Sequence, residues 1–481
     1  MLKYADFQGI EKAREIVSKF GDNVLVYFDP DVDGMIAGYL ACKFLQSIGK
    51  RFQWYVNTNR EHNWHLDTSN LRGWSILAVD FLIPKDTMHK IVQSGCNIIS
   101  MDHHVNNPNL IWYKSKICEG IIINNQYEKE PEEFRFLSGA GVVFNTLIKL
   151  NPSLDTEENR ALVGLTLLSD VCDIENPIAK EYLKTLYNCK YKGYIKYLID
   201  GVMGEKDYGF GIPRLDRNFV DFTFSPAINS CLRFNQEEMV VQFFLGMCKL
   251  DLTCHQRQKE LVSKISEIAT VREFSHLRVV FFKDWELGQK MSIDLLSNFV
   301  GLVASRFLNG KKSVICYVIS KNSDGTPYVG RASFRGAIGS VNYLNSLKKF
   351  INGVGHQPAF GIIGLLPTRD LFESINEACM NAENGQTNSK KITPVSNLSI
   401  FASRMGKAYA DYNMYCLSQH RKYLRYIGKG AEIKVKTNNY IEYSVDGICV
   451  KCFDSTLNFN NGLILPIMER GYIYYYLQPE S

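Results

Sequence analysis

Carboxylate and imidazole side chains occur in four short clusters within the first 175 residues. In chain order, the clusters are Asp29, Asp31 and Asp33; Asp80; Asp102, His103 and His104; and Asp170 with Asp173. The three aspartates of FDPDVDG alternate in a short segment, where like charges repel, and a bound dication would remove that penalty. Carboxylates suit Mg²⁺ or Mn²⁺ and neutral imidazole suits Mn²⁺ or Zn²⁺, so the mixture favours Mn²⁺, with Mg²⁺ as the alternative.

Each cluster also has an ordinary structural explanation. A solvent-exposed acidic turn would account for the first cluster, although the apolar segment before it argues against this. A lone aspartate after a strand, such as Asp80, is usually a helix cap or a turn former. The helical pattern before Asp170 makes that cluster the weakest of the four by itself.

The elements that must position these residues form an α/β pattern. Residues 23–28, 76–79 and 97–101 are predicted strands, and residues 34–48 are a predicted helix that Gly49 ends. Strands and helices at this spacing predict a parallel sheet, and ligands of such sheets bind at the carboxyl ends of the strands. All four clusters can converge there, where two metals about 3.5–4 Å apart could clamp a phosphoryl group and activate a water.

Further along the chain, helical patterns cover residues 137–150, 157–168 and 254–271. A second α/β unit follows, with strands at 277–282 and 313–319 around a helix at 292–308. Residues 190–197 (KYKGYIKY) interleave Lys with Tyr and could stack nucleic-acid bases, but a solvated helix face is the favoured interpretation. Cys449 and Cys452 lie in an alternating, strand-like segment, where a three-residue offset points them to opposite faces, so no zinc site is predicted.

Composition excludes several classes of protein. The chain has 481 residues, which predicts two to four domains, with 46% hydrophobic and 22% charged residues, as in globular proteins. The net charge of +5 is too small to indicate nucleic-acid binding by itself. The 13 scattered cysteines indicate reduced thiols. No signal peptide or membrane-spanning segment is evident, so we expect a cytoplasmic protein without a membrane partner.

The order DxDxDG, D, DHH, D resembles that of the DHH phosphoesterase superfamily, and further segments resemble its RecJ branch. These segments are residues 139–142 (GAGV), 225–229 (SPAIN) with Arg233, Arg257 with Gln258, 301–306 (GLVASR), 330–333 (GRAS), and Gly355-His356 with Gly361. The resemblance extends from about residue 22 to residue 366. Many small DHH phosphodiesterases have histidine where this chain has Tyr27, whereas Asp29 is present, as in RecJ. Val354 replaces one glycine of the family's GGGH.

The resemblance implies a role for each candidate residue. Asp29 and Asp31 would hold one divalent ion; Asp33, His103 and Asp170 would hold the other, and Asp80 would bridge them. His104 would contact the scissile phosphate, and Asp102 would orient a histidine, so that His104, Asp102 and Asp80 form the catalytic set. The substrate-binding residues would be Asn229, Arg233, Arg306, Arg331, Ser333, Gly355 and His356, with metals and phosphate-binding residues on two domains either side of a groove.

The resemblance also implies a domain plan and an activity. The plan is a DHH catalytic domain (1–240), a connecting helix (241–275), a DHH-associated α/β domain (276–380), a linker (381–397) and a β-rich C-terminal domain (398–481) that is a candidate for nucleic-acid binding. The implied activity is a 5′-to-3′ exonuclease on single-stranded nucleic acid, DNA rather than RNA, using two divalent ions. We expect a monomer, with a single-strand-binding protein as a candidate partner.

Two rival functions remain at this point. One is an enzyme for short substrates, either an oligoribonuclease or a cyclic-dinucleotide phosphodiesterase. Tyr27 and the long RecJ-like middle of the chain argue against it. The other is a non-catalytic binding protein of the same fold. Because such proteins tend to lose metal ligands and every ligand position is filled here, this alternative is disfavoured.

Overall fold

The computed structural model divides the chain into two compact units. Unit 1 is Met1–Leu232 with Gln236–Leu252, and unit 2 is Arg233–Asn235 with Thr253–Ser481. The structure describes residues 2–479 apart from 58–63, 65, 105–108, 171, 205–214, 289, 340, 357, 385–390, 397, 407–409, 411–421, 429–430, 437–439, 454–458, 460–461 and 470–471.

Unit 1 contains one six-stranded sheet and its covering helices. Its strands are β1 (Asn23–Phe28), β2 (Arg51–Val56), β3 (Ser75–Val79), β4 (Asn97–Asp102), β5 (Ile111–Lys114) and β6 (Glu119–Asn124). Its helices are α1 (Ile10–Ser18), α2 (Val32–Ser47), α3 (Lys85–Gln93), α4 (Gly139–Leu150), α5 (Glu157–Ser169), α6 (Pro177–Asn188), α7 (Gly193–Met203), α8 (Arg217–Phe219), α9 (Ser225–Arg233) and α10 (Glu237–Phe244). A π-helical segment, Val220–Phe224, joins α8 to α9.

The sheet order is β2-β1-β3-β4-β6-β5, and only the edge strand β5 is antiparallel to its neighbour. Every residue of β3 and β6, and five of the six residues of β1 and β4, are buried. A parallel sheet covered on both faces requires such continuous apolar segments. The parallel α/β sheet predicted from the sequence is therefore confirmed.

Unit 2 begins with a second six-stranded sheet. Its strands are β7 (Thr270–Glu273), β8 (Leu277–Lys283), β9 (Ser313–Lys321), β10 (Pro327–Arg335), β11 (Asn352–His356) and β12 (Ala359–Ile363). Its helices are α11 (Thr253–Ile268), α12 (Ile293–Ser297), α13 (Val300–Phe307), α14 (Tyr343–Leu347) and α15 (Arg369–Glu383). The strand order is β11-β12-β10-β9-β8-β7, with β8 and β9 parallel.

Alternation along β8 gives this sheet a core on each face. Leu277 and Val279 pack with α15 on one side, whereas Val280 and Phe282 pack with α11 and α13 on the other. Two predicted helices differ from the observed ones. The helix predicted over 292–308 is interrupted by a turn at 298–299, and the helix predicted over 254–271 ends at Ile268, where β7 begins two residues later.

The rest of unit 2 is a seven-stranded sheet with two short helical segments, which confirms the predicted β-rich region. Its strands are β13 (Lys391–Val395), β14 (Lys422–Tyr426), β15 (Glu432–Lys436), β16 (Ile441–Val445), β17 (Ile448–Cys452), β18 (Gly462–Glu469) and β19 (Tyr472–Pro479), in the order β13-β14-β18-β19-β17-β16-β15, and α16 is Leu398–Phe401.

Two predictions about the last region have different outcomes. Residues 381–397 do not form a continuous linker, because α15 extends to Glu383 and β13 pairs in parallel with β14. Cys449 is exposed and Cys452 is fully buried, so they do lie on opposite faces of β17. Among the described residues, no helix has the length and apolar character needed to cross a membrane.

Candidate metal centre

The first three acidic clusters lie together because their strands are neighbours. β3 pairs in parallel with both β1 and β4, so the carboxyl ends of the three strands meet at one edge of the sheet. Asp29 follows β1, Asp80 follows β3, and Asp102 is the last residue of β4. All three are buried, at 3%, 2% and 0% exposure. Burying three carboxylates so close together is costly unless a cation or a proton compensates the charge.

His103 connects this edge to Asp33 and Asp170. Its Nε2 lies 3.4 Å from Asp80 Oδ1 and 4.0 Å from Asp33 Oδ2, and its Nδ1 lies 3.8 Å from Asp170 Oδ2. The described residues form two groups whose potential ligand atoms lie within 4.8 Å of one another. One group is Asp80, His103 and His104, and the other is Asp33, His103 and Asp170. The imidazole is shared, so the two groups adjoin.

The N-terminus of α4 fixes the position of Asp33. The Gly139 and Ala140 amides donate to Asp33 Oδ2 and Oδ1 over 2.6 and 3.1 Å, as amides at a helix start do for anions. A Cβ atom on Gly139 would lie 2.0 Å from Asp80 Oδ1, so only glycine allows this approach. The GAGV segment therefore brings helix amides up to the carboxylates.

Asp29 and Asp31 lie beside these groups but belong to neither of them in the described part of the chain. Asp31 caps α2, with its carboxylate accepting from the Gly34 amide over 2.9 Å. Asp29 Oδ1 accepts from Asn57 Nδ2 over 3.4 Å. Asn57 follows β2, the strand next to β1, and was not singled out from the sequence.

Asp102 and His104 form a tight pair. His104 Nδ1 lies 2.7 Å from Asp102 Oδ1, and the His104 amide donates to Asp102 Oδ2 over 3.0 Å. Burial opposes ionisation of both groups, but their mutual attraction prevails. The pKa of Asp102 is lowered, and the pKa of His104 is raised to about 10.

Asn124 supports this pair and was missed in the sequence. It lies at the end of β6, directly opposite Asp102 in the ladder. Its Nδ2 donates to Asp102 Oδ2 over 3.3 Å and to the His104 carbonyl over 2.9 Å. The signal available in the sequence is a polar residue that directly follows the apolar segment 120–123 (GIII).

The electrostatics of the site fit a bound cation. Burial, followed by the charge of Asp31, raises the pKa of Asp33 to about 7. Burial, followed by the charge of Asp33, raises the pKa values of Asp80 and Asp170 well above their usual range. Asp80 Oδ1 is buried without a hydrogen-bond partner among the described residues. Oxygen ligands with one or two imidazoles suit Mn²⁺ or Mg²⁺, so the residues present fit divalent metal.

Tyr27 belongs to the core instead of the ligand groups. Its side chain is fully buried, and its ring stacks on Tyr55 and Trp64 at centroid distances of 5.5 and 4.5 Å. Tyr27 therefore contributes packing and no metal ligand.

The predicted substrate-binding residues occupy varied environments. Arg233 Nη1 donates to Gln258 Oε1 over 3.1 Å, and Asn229 is half-buried on α9. In unit 2, Arg306 is exposed on α13, and Arg331 is half-buried on β10. Gly355 has φ +136°, a conformation that L side chains rarely adopt. The side chain of His356 lies outside the described residues.

Ser333 contacts Arg335, a residue that was not predicted as part of the site from the sequence. Arg335 Nη1 donates to Ser333 Oγ and to the Phe334 carbonyl, each over 2.7 Å, and its Nε donates to Ser305 Oγ over 3.3 Å. Burial lowers the pKa of Arg335, and no carboxylate among the residues described forms an ion pair with it. Residues 331, 333 and 335 alternate on one strand, which was the available signal.

Comparisons with known proteins bear on the family and the fold. Residues 23–187 match the family described as DHH family, N-terminal domain. The fold is similar to that of RecJ in complex with Mn²⁺ from Thermus thermophilus, with a TM-score of 0.68 and 16% identity over 100% of this chain and 72% of that one. For RecJ in complex with Mg²⁺ from the same organism, the TM-score is 0.62 and the identity is 15%, over 100% of this chain and 71% of that one.

A structure titled exonuclease RecJ bound to manganese matches with a TM-score of 0.53 and 16% identity, over 79% of this chain and 95% of that one. No curated protein sequence matches the chain. At such low identity the structural likeness establishes the fold, and the family match covers the residues of the candidate metal centre. Residues 23–187 are therefore similar to the N-terminal domain of the DHH family, and the fold is similar to that of RecJ.

Proposed function

We propose that the protein is a metal-dependent phosphodiesterase that removes nucleotides from single-stranded DNA, from the 5′ end. The observation that supports this most is the convergence of Asp33, Asp80 and Asp170 on His103 at the carboxyl edge of the sheet, beside Asp29 and Asp31. Adjoining metal sites are the usual arrangement for in-line displacement at phosphorus. The RecJ-like fold supports a nucleic-acid substrate.

Six side chains would hold the ions. Asp33, His103 and Asp170 would hold one, Asp29 and Asp31 would hold the other, and Asp80 would contact both. Divalent ions here would act as Lewis acids on a phosphoryl oxygen and supply a nucleophilic water near neutral pH. The amides of Gly139 and Ala140 keep Asp33 oriented, so the carboxylate does not have to reorganise when an ion binds.

His104 would act on the substrate directly. Asp102 engages Nδ1, so Nε2 is the ring atom that would reach a phosphate oxygen. The raised pKa of His104, about 10, keeps the imidazolium protonated at neutral pH. A protonated Nε2 can donate to a non-bridging oxygen of the scissile phosphate and stabilise the charge that develops there.

Arg335 and its neighbours would bind substrate phosphate. A largely buried guanidinium without a carboxylate partner is stabilised by an anion that arrives with the substrate. The hydroxyl oxygens of Ser305 and Ser333 accept hydrogen bonds from this guanidinium and hold it in place. Arg306 and Arg331 would add charge for neighbouring phosphates.

A row of aromatic rings in the C-terminal sheet would bind bases further along the strand. Consecutive ring centroids are 6.1 Å apart for Tyr440 and Phe453, 5.9 Å for Phe453 and Tyr476, and 6.3 Å for Tyr476 and Tyr474. Phe453 is 64% exposed, and Lys451 Nζ lies 5.7 Å from the Tyr474 ring. Aromatic rings beside a cation suit single strands, because every base has a face that can stack.

Digestion of end-labelled substrates tests the proposal. Single-stranded DNA, single-stranded RNA and duplex DNA would be incubated with Mn²⁺, Mg²⁺ or chelator, with Asp80→Asn as the inactive control. We expect mononucleotides to be released from the 5′ end of single-stranded DNA, only with metal. Release from RNA alone, or equal rates on a dinucleotide and a 20-mer, would assign the enzyme to short ribonucleotide substrates. No cleavage of any substrate would contradict an enzymatic role.

A further inference from the structure

We propose that the free edge of strand β5 is a docking site for a partner protein, which adds an extended segment of alternating apolar and acidic residues to the sheet. The patch consists of Trp112, Lys114 and Ile117 together with Lys12 and Lys19, and we call it the edge patch. It lies in unit 1 and uses none of the residues assigned to the metal centre.

β5 has an unpaired side in the described part of the chain. It is the last strand of the sheet, and β6 is its only neighbour there. Such an edge presents backbone donors and acceptors to another chain, and proteins usually protect it or use it for binding. Here the strand is short, its Trp112 is 46% exposed, and Ile117, in the connection from β5 to β6, is 74% exposed.

The exposed side chains of the edge follow one face. Leu110, Trp112 and Lys114 alternate and therefore point to the same side. That side faces α1: a Cβ atom on Gly9 would lie 3.3 Å from Leu110 Cδ1, and Lys12 Nζ lies 4.8 Å from the Trp112 ring. An added strand would place its own alternate side chains next to two apolar residues and then a lysine.

Positive charge is in excess at this edge. Lys12, Lys19 and Lys114 all point at one carboxylate, Glu119, with nitrogen–oxygen distances of 3.6, 2.8 and 3.6 Å. The Glu119 side chain is only 5% exposed, whereas Lys19 and Lys114 are 45% and 60% exposed.

Two further cations, Arg72 and Lys116, and one further carboxylate, Glu15, lie around the edge patch. Lys12 also pairs with Glu15. Lys116 and Arg72 are both exposed, and Arg72 lies close to Ile117, because a Cβ atom on Gly95 would contact both side chains. Among the residues described around the patch, five cationic side chains are thus set against the carboxylates of Glu119 and Glu15, so the edge patch attracts an acidic partner.

These features favour a peptide over other occupants. A second copy of this chain would bring its own lysines against the same lysines, which costs energy. Nucleic acid would suit the lysines and Trp112, but it would leave the strand edge and Ile117 without partners. An extended peptide satisfies all three features, since backbone hydrogen bonds give affinity and alternate side chains give specificity.

The location separates docking from catalysis. Lys114 ends β5 and Glu119 begins β6, so the lysines lie at the opposite edge of the sheet from Asp29, Asp80 and Asp102. A bound partner would therefore leave the carboxyl edge accessible to substrate. The docking site goes beyond the proposed nuclease activity and can fail independently of it.

Fluorescence anisotropy with the full chain tests the docking site. The probe is a short fluorescein-labelled peptide in which valine alternates with aspartate, and a valine–lysine peptide is its control. We expect saturable binding of the acidic peptide only. Lys114→Glu should weaken it roughly tenfold, the factor equivalent to about 1.4 kcal/mol. Lys184→Glu, the same charge change on the exposed face of α6, should have no effect.

Peptide backbone methylation tests how the segment binds. N-methylation of one alternate set of amides should abolish binding, and methylation of the other set should not, because only one set faces β5. The docking site would be refuted if the peptide still bound after methylation of either set of amides. Equal affinity of the wild type and Lys114→Glu for the acidic peptide would refute it as well.

Three further results would also overturn it. The first is that no acidic peptide binds at all. The second is that single-stranded DNA competes with the peptide in the wild type but not in Trp112→Ala. The third is that the wild type sediments as a dimer and Trp112→Ala as a monomer. Phosphodiesterase activity should stay unchanged in Lys114→Glu, so the two proposals are tested separately.

Discussion

Removing divalent metal should make the stability of unit 1 fall as the pH rises. Asp33 has a folded-state pKa of about 7, against a usual value of 3.8, because it is buried and faces Asp31. The folded protein therefore holds a proton that the unfolded chain releases between these two values. The stability linked to this proton is fully present below about pH 4 and is lost as the pH rises through about 7.

The size of the effect follows from the shift. A change of ~3 pKa units corresponds to ~4 kcal/mol for a fully buried group. For a domain of this size that is roughly a 10 °C change in the midpoint of thermal unfolding. The pKa values of Asp80 and Asp170 shift in the same direction, and the raised pKa of His104 adds a loss between about pH 6.5 and 10, so these groups reinforce the trend.

Calorimetry between about pH 5 and about pH 8.5, with chelator or with Mn²⁺, would measure this. We expect the midpoint in chelator to fall with pH, and Mn²⁺ to raise it most at high pH, because the ion replaces the missing protons. Asp80→Asn should raise the chelator midpoint at high pH and reduce the effect of Mn²⁺, whereas Asp22→Asn, at an exposed position, should behave as wild type. A midpoint in chelator that does not change with pH would refute the reasoning.

Three other outcomes are expected from variants that affect substrate binding, and one from a variant beside the metal centre. Arg331→Ala should reduce the log–log salt slope of single-stranded DNA binding by about 0.7, the loss of one phosphate contact, without changing metal affinity in calorimetric titration. Arg335→Gln should weaken DNA binding more than Arg331→Ala does in the same assay, because Ser305 and Ser333 already hold the Arg335 guanidinium in one position. Phe453→Ala should cost roughly 1–3 kcal/mol in binding of a long single strand but leave hydrolysis of a dinucleotide unchanged, as measured by anisotropy and product release. Asn124→Ala should lower kcat at least as much as kcat/KM in steady-state hydrolysis, because Asn124 supports the Asp102–His104 pair. Asn124→Gln, which keeps an amide donor, should be more active than Asn124→Ala.

The sequence determined the elements that hold the site, because their signals are local. The apolar segments before Asp29, Asp80 and Asp102 are long enough to be buried strands, and their spacing requires helical crossovers between parallel neighbours. Clustering of these residues at one edge then follows from the rule that parallel strands end on the same side. The order of motifs likewise indicated the resemblance to the DHH superfamily.

Only the tertiary structure decided how the ligands are grouped and supported. His103 lies between Asp80 on one side and Asp33 and Asp170 on the other. This depends on where α5 ends relative to the sheet, because Asp170 caps that helix. The supports of Asp102 and Asp29 come from β6 and β2, strands whose place in the sheet order no local pattern encodes. Long-range register sets these contacts.

The same limit applies to the second unit and to the edge of the first. Arg335 is an ordinary arginine in the sequence, and it is a candidate phosphate ligand only because Ser305 and Ser333 hold its guanidinium while no carboxylate in the described part of the chain pairs with it. Glu119 and the lysines around it are separated by up to about a hundred residues along the chain, so their convergence could not be predicted. Burial and charge pairing depend on which surfaces the fold brings together, whereas sequence patterns report only each element's own periodicity.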